Sequence, residues 1–190
     1  MQTELHDNKT YQKIDFTVDI LPKGEYDNCT FSHCDFSNSD IRNIHFIDCT
    51  FDNCNLSMCN CIKTAFRNVT FKDCKMLGLH FGNCNIFGLS FHFDNCILNH
   101  SSFYNVKTNT STFKNSKFED VDFTESDISN SVFENCDFSQ AIFDNTNLEK
   151  ADFRSSYNYS INPSLNSIKK AKFSSAGLAG LLDSYDIIIE

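Results

Sequence analysis

Val121–Ser155 reads VDFTE SDISN SVFEN CDFSQ AIFDN TNLEK ADFRS, seven units of five with a large apolar residue third in each. A period of five is neither the 3.6 of an amphipathic helix nor the 2 of a strand. It marks an internal repeat, and a repeat decides the architecture before any single element does. We call the large apolar residue of each unit its centre. Working outward, centres fall every five residues from Phe16 to Phe91 and again from Leu98 to Phe153. These 28 units place 17 of the 20 phenylalanines at centres, far from a chance distribution.

The residue two before each centre is mostly Cys, Ser, Thr, Ala or Val. Residues two apart in an extended chain point the same way, so both positions face one interior. The other three positions carry nearly all the charge and face water. A short extended segment and a corner, repeated, stack into a solenoid. The register slips by two residues in SFHFDNCIL, which is expected to form a bulge at 92–95.

This pattern resembles the pentapeptide-repeat family, whose unit is a small residue, Asp or Asn, Leu or Phe, then two variable residues. The resemblance spans about 140 residues. It implies an all-β fold, a right-handed quadrilateral β-helix with about 20 residues per coil stacked ~4.8 Å apart. The expected organisation is a lead-in over 1–13, the β-helix over 14–173 with a turn at 158–166, and a C-terminal cap over 174–190.

Net charge is −9 over 190 residues, with ten Cys, two Pro and no Trp. That charge argues against direct binding to nucleic acid, which relies on Lys and Arg at phosphates. The N-terminal MQTELHDNKTYQK has no apolar signal-peptide core, and no apolar run nears the ~18 residues that cross a bilayer. The expectation is a cytoplasmic protein with no membrane contact.

Nine cysteines (29, 34, 49, 54, 59, 74, 84, 96 and 136) occupy the small inward position, and Cys61 is a centre. Several lie 20 residues apart, close enough in stacked coils for disulfides. They read as reduced core residues, because free Cys behaves as a small hydrophobe and their spacing matches no zinc pattern. No metal or cofactor is expected. The six histidines do not converge, and no phosphate loop, dinucleotide fingerprint or nucleophile elbow is present. A rod with a filled interior offers no desolvated cleft for acid–base chemistry, so no catalytic residue is assigned and the chain reads as a non-enzyme.

Charge is unevenly distributed: −6 over residues 1–52, +5 over 53–118, −9 over 119–152 and +1 beyond. The acidic belt comprises Glu119, Asp120, Asp122, Glu125, Asp127, Glu134, Asp137, Asp144, Glu149 and Asp152. It covers less than two coils, roughly 8 Å of axis, over which duplex DNA carries about five charges. Asp122, Asp127, Asp137 and Asp152 sit where the repeat itself favours Asp. The other six are candidates for partner binding.

After Phe173 the chain changes to SSAGLAGLLDSYDIIIE. Ser174 or Ser175 can cap a short helix, and Tyr185–Ile189 reads as a short strand. A solenoid must close its end, and the apolar excess in Leu178, Leu181, Leu182, Tyr185, Ile187 and Ile189 reads as a homodimer interface. The segment NPSLNSIKKAKFSSAGLAGLLDSYDI is similar to the C-terminus of Qnr-type quinolone-resistance pentapeptide proteins. That resemblance implies pairing through the C-terminal ends and binding to the type II topoisomerases DNA gyrase and topoisomerase IV by imitating DNA. Two features depart from it: only a two-residue slip stands where those proteins carry extended loops, and the middle third is basic. The alternative is an interaction scaffold with an unrelated protein partner.

Overall fold

A computed structural model describes residues 4–108, 111–185 and 187–188. The chain winds as a four-sided β-solenoid, each side meeting the equivalent side of the next coil 20 residues later. Two sides form parallel ladders. One joins β1 (Glu4–Asp7), β3 (Gly24–Asp27), β5 (His45–Ile47) and β7 (Ala65–Arg67). The other joins β2 (Thr10–Gln12), β4 (Thr30–Ser32), β6 (Thr50–Asp52), β8 (Val69–Lys72), β9 (Phe91–Asp94), β10 (Thr112–Lys114) and β11 (Val132–Glu134). The two remaining sides pair through single bridges such as Asp35↔Asn55 and Ser102↔Asp122.

The centres fill the interior, and Phe31, Phe51, Phe71, Phe113 and Phe133 are fully buried. On the seven-stranded side, rings stack in one column from Tyr11 through Phe31, Phe51, Phe71, Phe93, Phe113, Phe133 and Phe153 to Phe173. Centroid separations run from 4.6 to 5.6 Å. Eight steps at the parallel-strand spacing make the column about 38 Å long. Rings on adjoining sides meet edge-on, as Phe46 meets Phe51 at 75°, a favourable quadrupole arrangement.

The small inward residue does more than leave room. Its side chain donates to the carbonyl of a centre one coil earlier: Cys54 Sγ to Phe31 O, Thr64 Oγ1 to Ile41 O and Ser156 Oγ to Phe133 O. Ser and Thr therefore alternate with Cys because all three are small donors. All ten cysteines are free and buried. Burial pushes the Cys49 and Cys136 thiols up to about 12.

The fold thus favours the neutral thiol, whereas unfolded thiols ionise near 8.5. This thiol contribution to stability should be level below pH 8 and lost as pH rises from about 9 through 12. Thermal unfolding across that range checks this. The Cys49→Ser/Cys136→Ser variant should lose less, since serine keeps the donor and does not ionise there.

Corners follow a second rule. Positive φ recurs at 25 non-glycine positions, nearly all of them two after the inward-facing centre and thirteen of them Asn, for example Asn28 (49°), Asn53 (53°) and Asn135 (53°). Asn tolerates this left-handed conformation better than most residues. Corner amides also bond between coils, as in Asn28 to Asn8 and Asn135 to Asn115.

The two-residue slip lies at 86–89, ahead of β9, rather than at 92–95. Asn85 N still reaches Thr64 O in the ordinary register, but Val69 already pairs with Phe91 and Phe71 with Phe93. Phe93 is therefore the centre and Phe91 takes the small residue's place, both buried. Ile86, expected as a centre, points outward at 72% exposure. Leu89 and Phe91 fill the interior in its stead, and Gly88 (φ +70°) supplies the turn.

Candidate protein-interaction surface

The belt residues are distributed around all four sides, and they divide by role. Asp122, Asp127, Asp137 and Asp152 each accept from the backbone N–H two residues on: Thr124, Ser129, Ser139 and Arg154, at 2.9–3.2 Å. They build the local turn, which gives a physical reason for Asp at this place in the repeat. Asp152 is also paired with Arg154 Nη2 (2.8 Å) and Lys172 Nζ (3.4 Å). Hydrogen bonds from Arg154 hold its carboxyl down to about 2.

Of the remaining six, Glu134 pairs with Lys114 at 3.2 Å and Asp120 with His100 at 3.4 Å. Glu119 accepts from Asn99 Nδ2 at 2.6 Å. Glu149 stands on another side, after Leu148. Asp144 is brought beside Glu125, whose N–H donates to the Asp144 carbonyl. The structure thus gathers Glu119, Asp120, Asp122, Glu125 and Asp144 on the side centred on Phe123 and its flanking corners.

The basic middle separates in three dimensions. Along one edge of the seven-stranded side, register places Asp52 beside Lys72, Lys72 beside Asp94, Asp94 beside Lys114 and Lys114 beside Glu134. This alternating column favours the coil register and consumes both lysines, leaving no excess positive charge there. Lys75 and Lys117 flank Ile97 on a second side. Lys63, Arg67 and Lys107 lie towards the 86–89 bulge. Summing charge along the chain hid this, because column neighbours are 20 or 22 residues apart.

The pentapeptide repeat region matches residues 25–92, 44–123 and 77–153, together well over half the chain. The chain belongs to the pentapeptide-repeat family. No curated protein matches it in sequence. Among solved structures it is similar to a trypsin-treated variant of QnrB1, a plasmid-mediated fluoroquinolone resistance protein. That match has a TM-score of 0.73 at 17% identity and covers 98% of this chain and 92% of the other. Full-length QnrB1 matches with a TM-score of 0.64 at 16% identity, over 97% and 100%. At such identities the likeness establishes the fold.

The end of this pentapeptide-repeat solenoid is closed by a 3-10 helix, Ser175–Leu181, capped by Ser174, whose Oγ accepts from Gly177 N. Ile161 N donates to Gly180 O at 2.8 Å and ties the helix to the coil beneath. A Cβ on Gly177 or Gly180 would overlap Tyr159, so both glycines are needed for this close approach. The expected strand from Tyr185 is not formed among the described residues. Tyr185 ends a second 3-10 turn, Asp183–Tyr185, and residues 187 and 188 have no regular structure.

None of the residues in Ser175–Leu181 is buried. Leu178, Tyr185 and Ile187 are about half exposed, while Leu181 and Leu182 are partly covered. Ile189 lies outside the described residues. Among the described residues no helix is long and apolar enough to cross a membrane. No group of three or more His, Cys, Asp or Glu among them could hold a metal ion.

Proposed function

We propose that this chain is a non-enzymatic DNA mimic that binds a type II topoisomerase, DNA gyrase or topoisomerase IV, as a homodimer joined through its C-terminal caps. The observation that carries the reading is the cluster of Glu119, Asp120, Asp122, Glu125 and Asp144 on one side of a narrow rod. Carboxylates held on a rigid ladder can occupy phosphate positions in a basic DNA groove, where complementary charge speeds encounter and fixes register. The likeness in fold to QnrB1, which is named for fluoroquinolone resistance, supports the choice of enzyme.

The cap's uncovered Leu178, Tyr185 and Ile187 support the dimer, since apolar residues rimmed by polar ones mark association surfaces. The Leu178→Glu/Tyr185→Glu variant should sediment as a folded monomer. An unchanged dimer would place the interface elsewhere.

The functional test is supercoiling by purified gyrase, with and without a quinolone, as the protein is titrated in. Inhibition of supercoiling or relief of drug inhibition is expected at submicromolar protein. No effect on either up to micromolar concentration would refute the assignment.

A further inference from the structure

The 86–89 bulge places two large apolar side chains in water and holds them there. Ile86 and Phe87 are 72% and 75% exposed. Arg67 holds Phe87, its guanidinium carbon 5.5 Å from the ring centroid and its Nε donating to Phe87 O at 3.4 Å. Asn85 Oδ1 accepts from Phe87 N at 3.0 Å and fixes the turn. An ordered, exposed aromatic of this kind is presented rather than tolerated, because the interior beneath it is already filled by Leu89 and Phe91.

Beside the bulge runs a cleft of about 610 Å³. Ile86 and the Tyr104 ring supply its apolar walls, Lys107 its cationic group, and the His80 imidazole with the Asn83 and Asn105 amides polar groups able to bond a peptide backbone. No Asp or Glu lines it. Lys63 adjoins Asn83 through its N–H to Asn83 O at 2.7 Å. Lys63, Arg67 and Lys107 form no ion pair among the described residues, unlike Lys114 or Arg154. The nearest carboxylates, Asp122, Glu125 and Asp127, lie one coil further on; Asp122 accepts from Ser102 Oγ at 3.5 Å and Glu125 is engaged by the Tyr104 hydroxyl.

We propose that this surface is a second interaction site, one coil before the acidic cluster on the same side of the solenoid, which takes an extended acidic protein segment bearing a large apolar side chain. The apolar residue seats between Ile86 and Tyr104, and flanking carboxylates meet Lys63, Arg67 and Lys107. Charge complementarity selects the occupant, and paired aromatic and cationic anchors are the usual centres of binding energy.

The test is fluorescence anisotropy of a labelled eight-residue peptide alternating Glu with Phe and Leu, titrated with the full chain. Binding with a dissociation constant below about 1 mM, weakened by salt, is expected. Lys63→Glu/Lys107→Glu should weaken it at least tenfold, and so should Ile86→Ser/Phe87→Ser; these residues are exposed, and circular dichroism verifies the fold. Glu119→Lys/Asp120→Lys should leave it unchanged, which separates this site from the acidic one. No binding, or equal binding of a peptide with Lys in place of Glu, would overturn the proposal. So would tighter binding to anionic phosphatidylglycerol vesicles or a single-stranded oligonucleotide than to the peptide.

Discussion

Reversing Glu119, Asp120, Glu125 and Asp144 to Lys in one chain is expected to abolish the effect on gyrase, weakening association about a hundredfold or more. The substitution changes the side centred on Phe123 by eight charge units while leaving its interior untouched. All four carboxylates lie outside the core. Lysine already occupies equivalent corners at Lys23, Lys63 and Lys150, two of them with the same positive φ that Asp120 and Glu125 adopt. The variant should therefore fold. The contrasting variant, Asp127→Lys/Glu149→Lys on another side, should bind much as the parent does. Raising salt from 0.05 to about 0.5 M should weaken the parent's effect, because screening lengths shrink below the spacing of the charges. A reversal variant that is folded and fully active would mean that this side is not the contact.

The largest effect on stability is expected at Phe113→Ala, about 3–5 kcal/mol against a net stability of about 5–15 kcal/mol for a typical domain. Phe113 is fully buried and stacks on Phe93 at 5.4 Å and Phe133 at 4.7 Å. Truncation removes both ring contacts and leaves a void that stacked coils cannot close, since their spacing is set by backbone hydrogen bonds. Because each coil touches only its neighbours, the loss should be local. Hydrogen exchange should rise most over β9, β10 and β11, with the N-terminal coils protected. Denaturant unfolding checks the magnitude. A loss below about 1 kcal/mol would contradict the packing described here.

The five-residue period made the interior legible, because only two positions per unit face inward and one of them demands bulk. Away from Ile86 and Phe91, its centres are buried where expected. The slip itself was misplaced because Ile86, Leu89, Phe91 and Phe93 are all apolar, and periodicity cannot choose which of them turns out. Pairing of Val69 with Phe91 makes that choice, and it is a contact between coils. The asparagines two after each centre were visible but unread, although their left-handed backbone explains them. The donor role of Cys, Ser and Thr needed the carbonyl of the coil below, which no local pattern reveals.

Among the belt residues, the sequence separated four turn-building aspartates from six others, and the structure gives each of the four the same bond to the backbone. It could not tell which of the six share a side. Glu125 and Asp144 lie 19 residues apart in the chain and become neighbours only through the coil. The isoleucines at the C-terminus read as a strand because they are β-branched, yet Ile187 and Ile188 have no regular structure.

The central claim is that acidic side chains stand where DNA phosphates would. Its most direct test is the anisotropy of a labelled DNA duplex bound to gyrase as the protein is added. The account predicts competitive displacement, with the apparent affinity for DNA falling in proportion to protein concentration. DNA and protein held together on the enzyme, with the affinity for DNA unchanged, would contradict it.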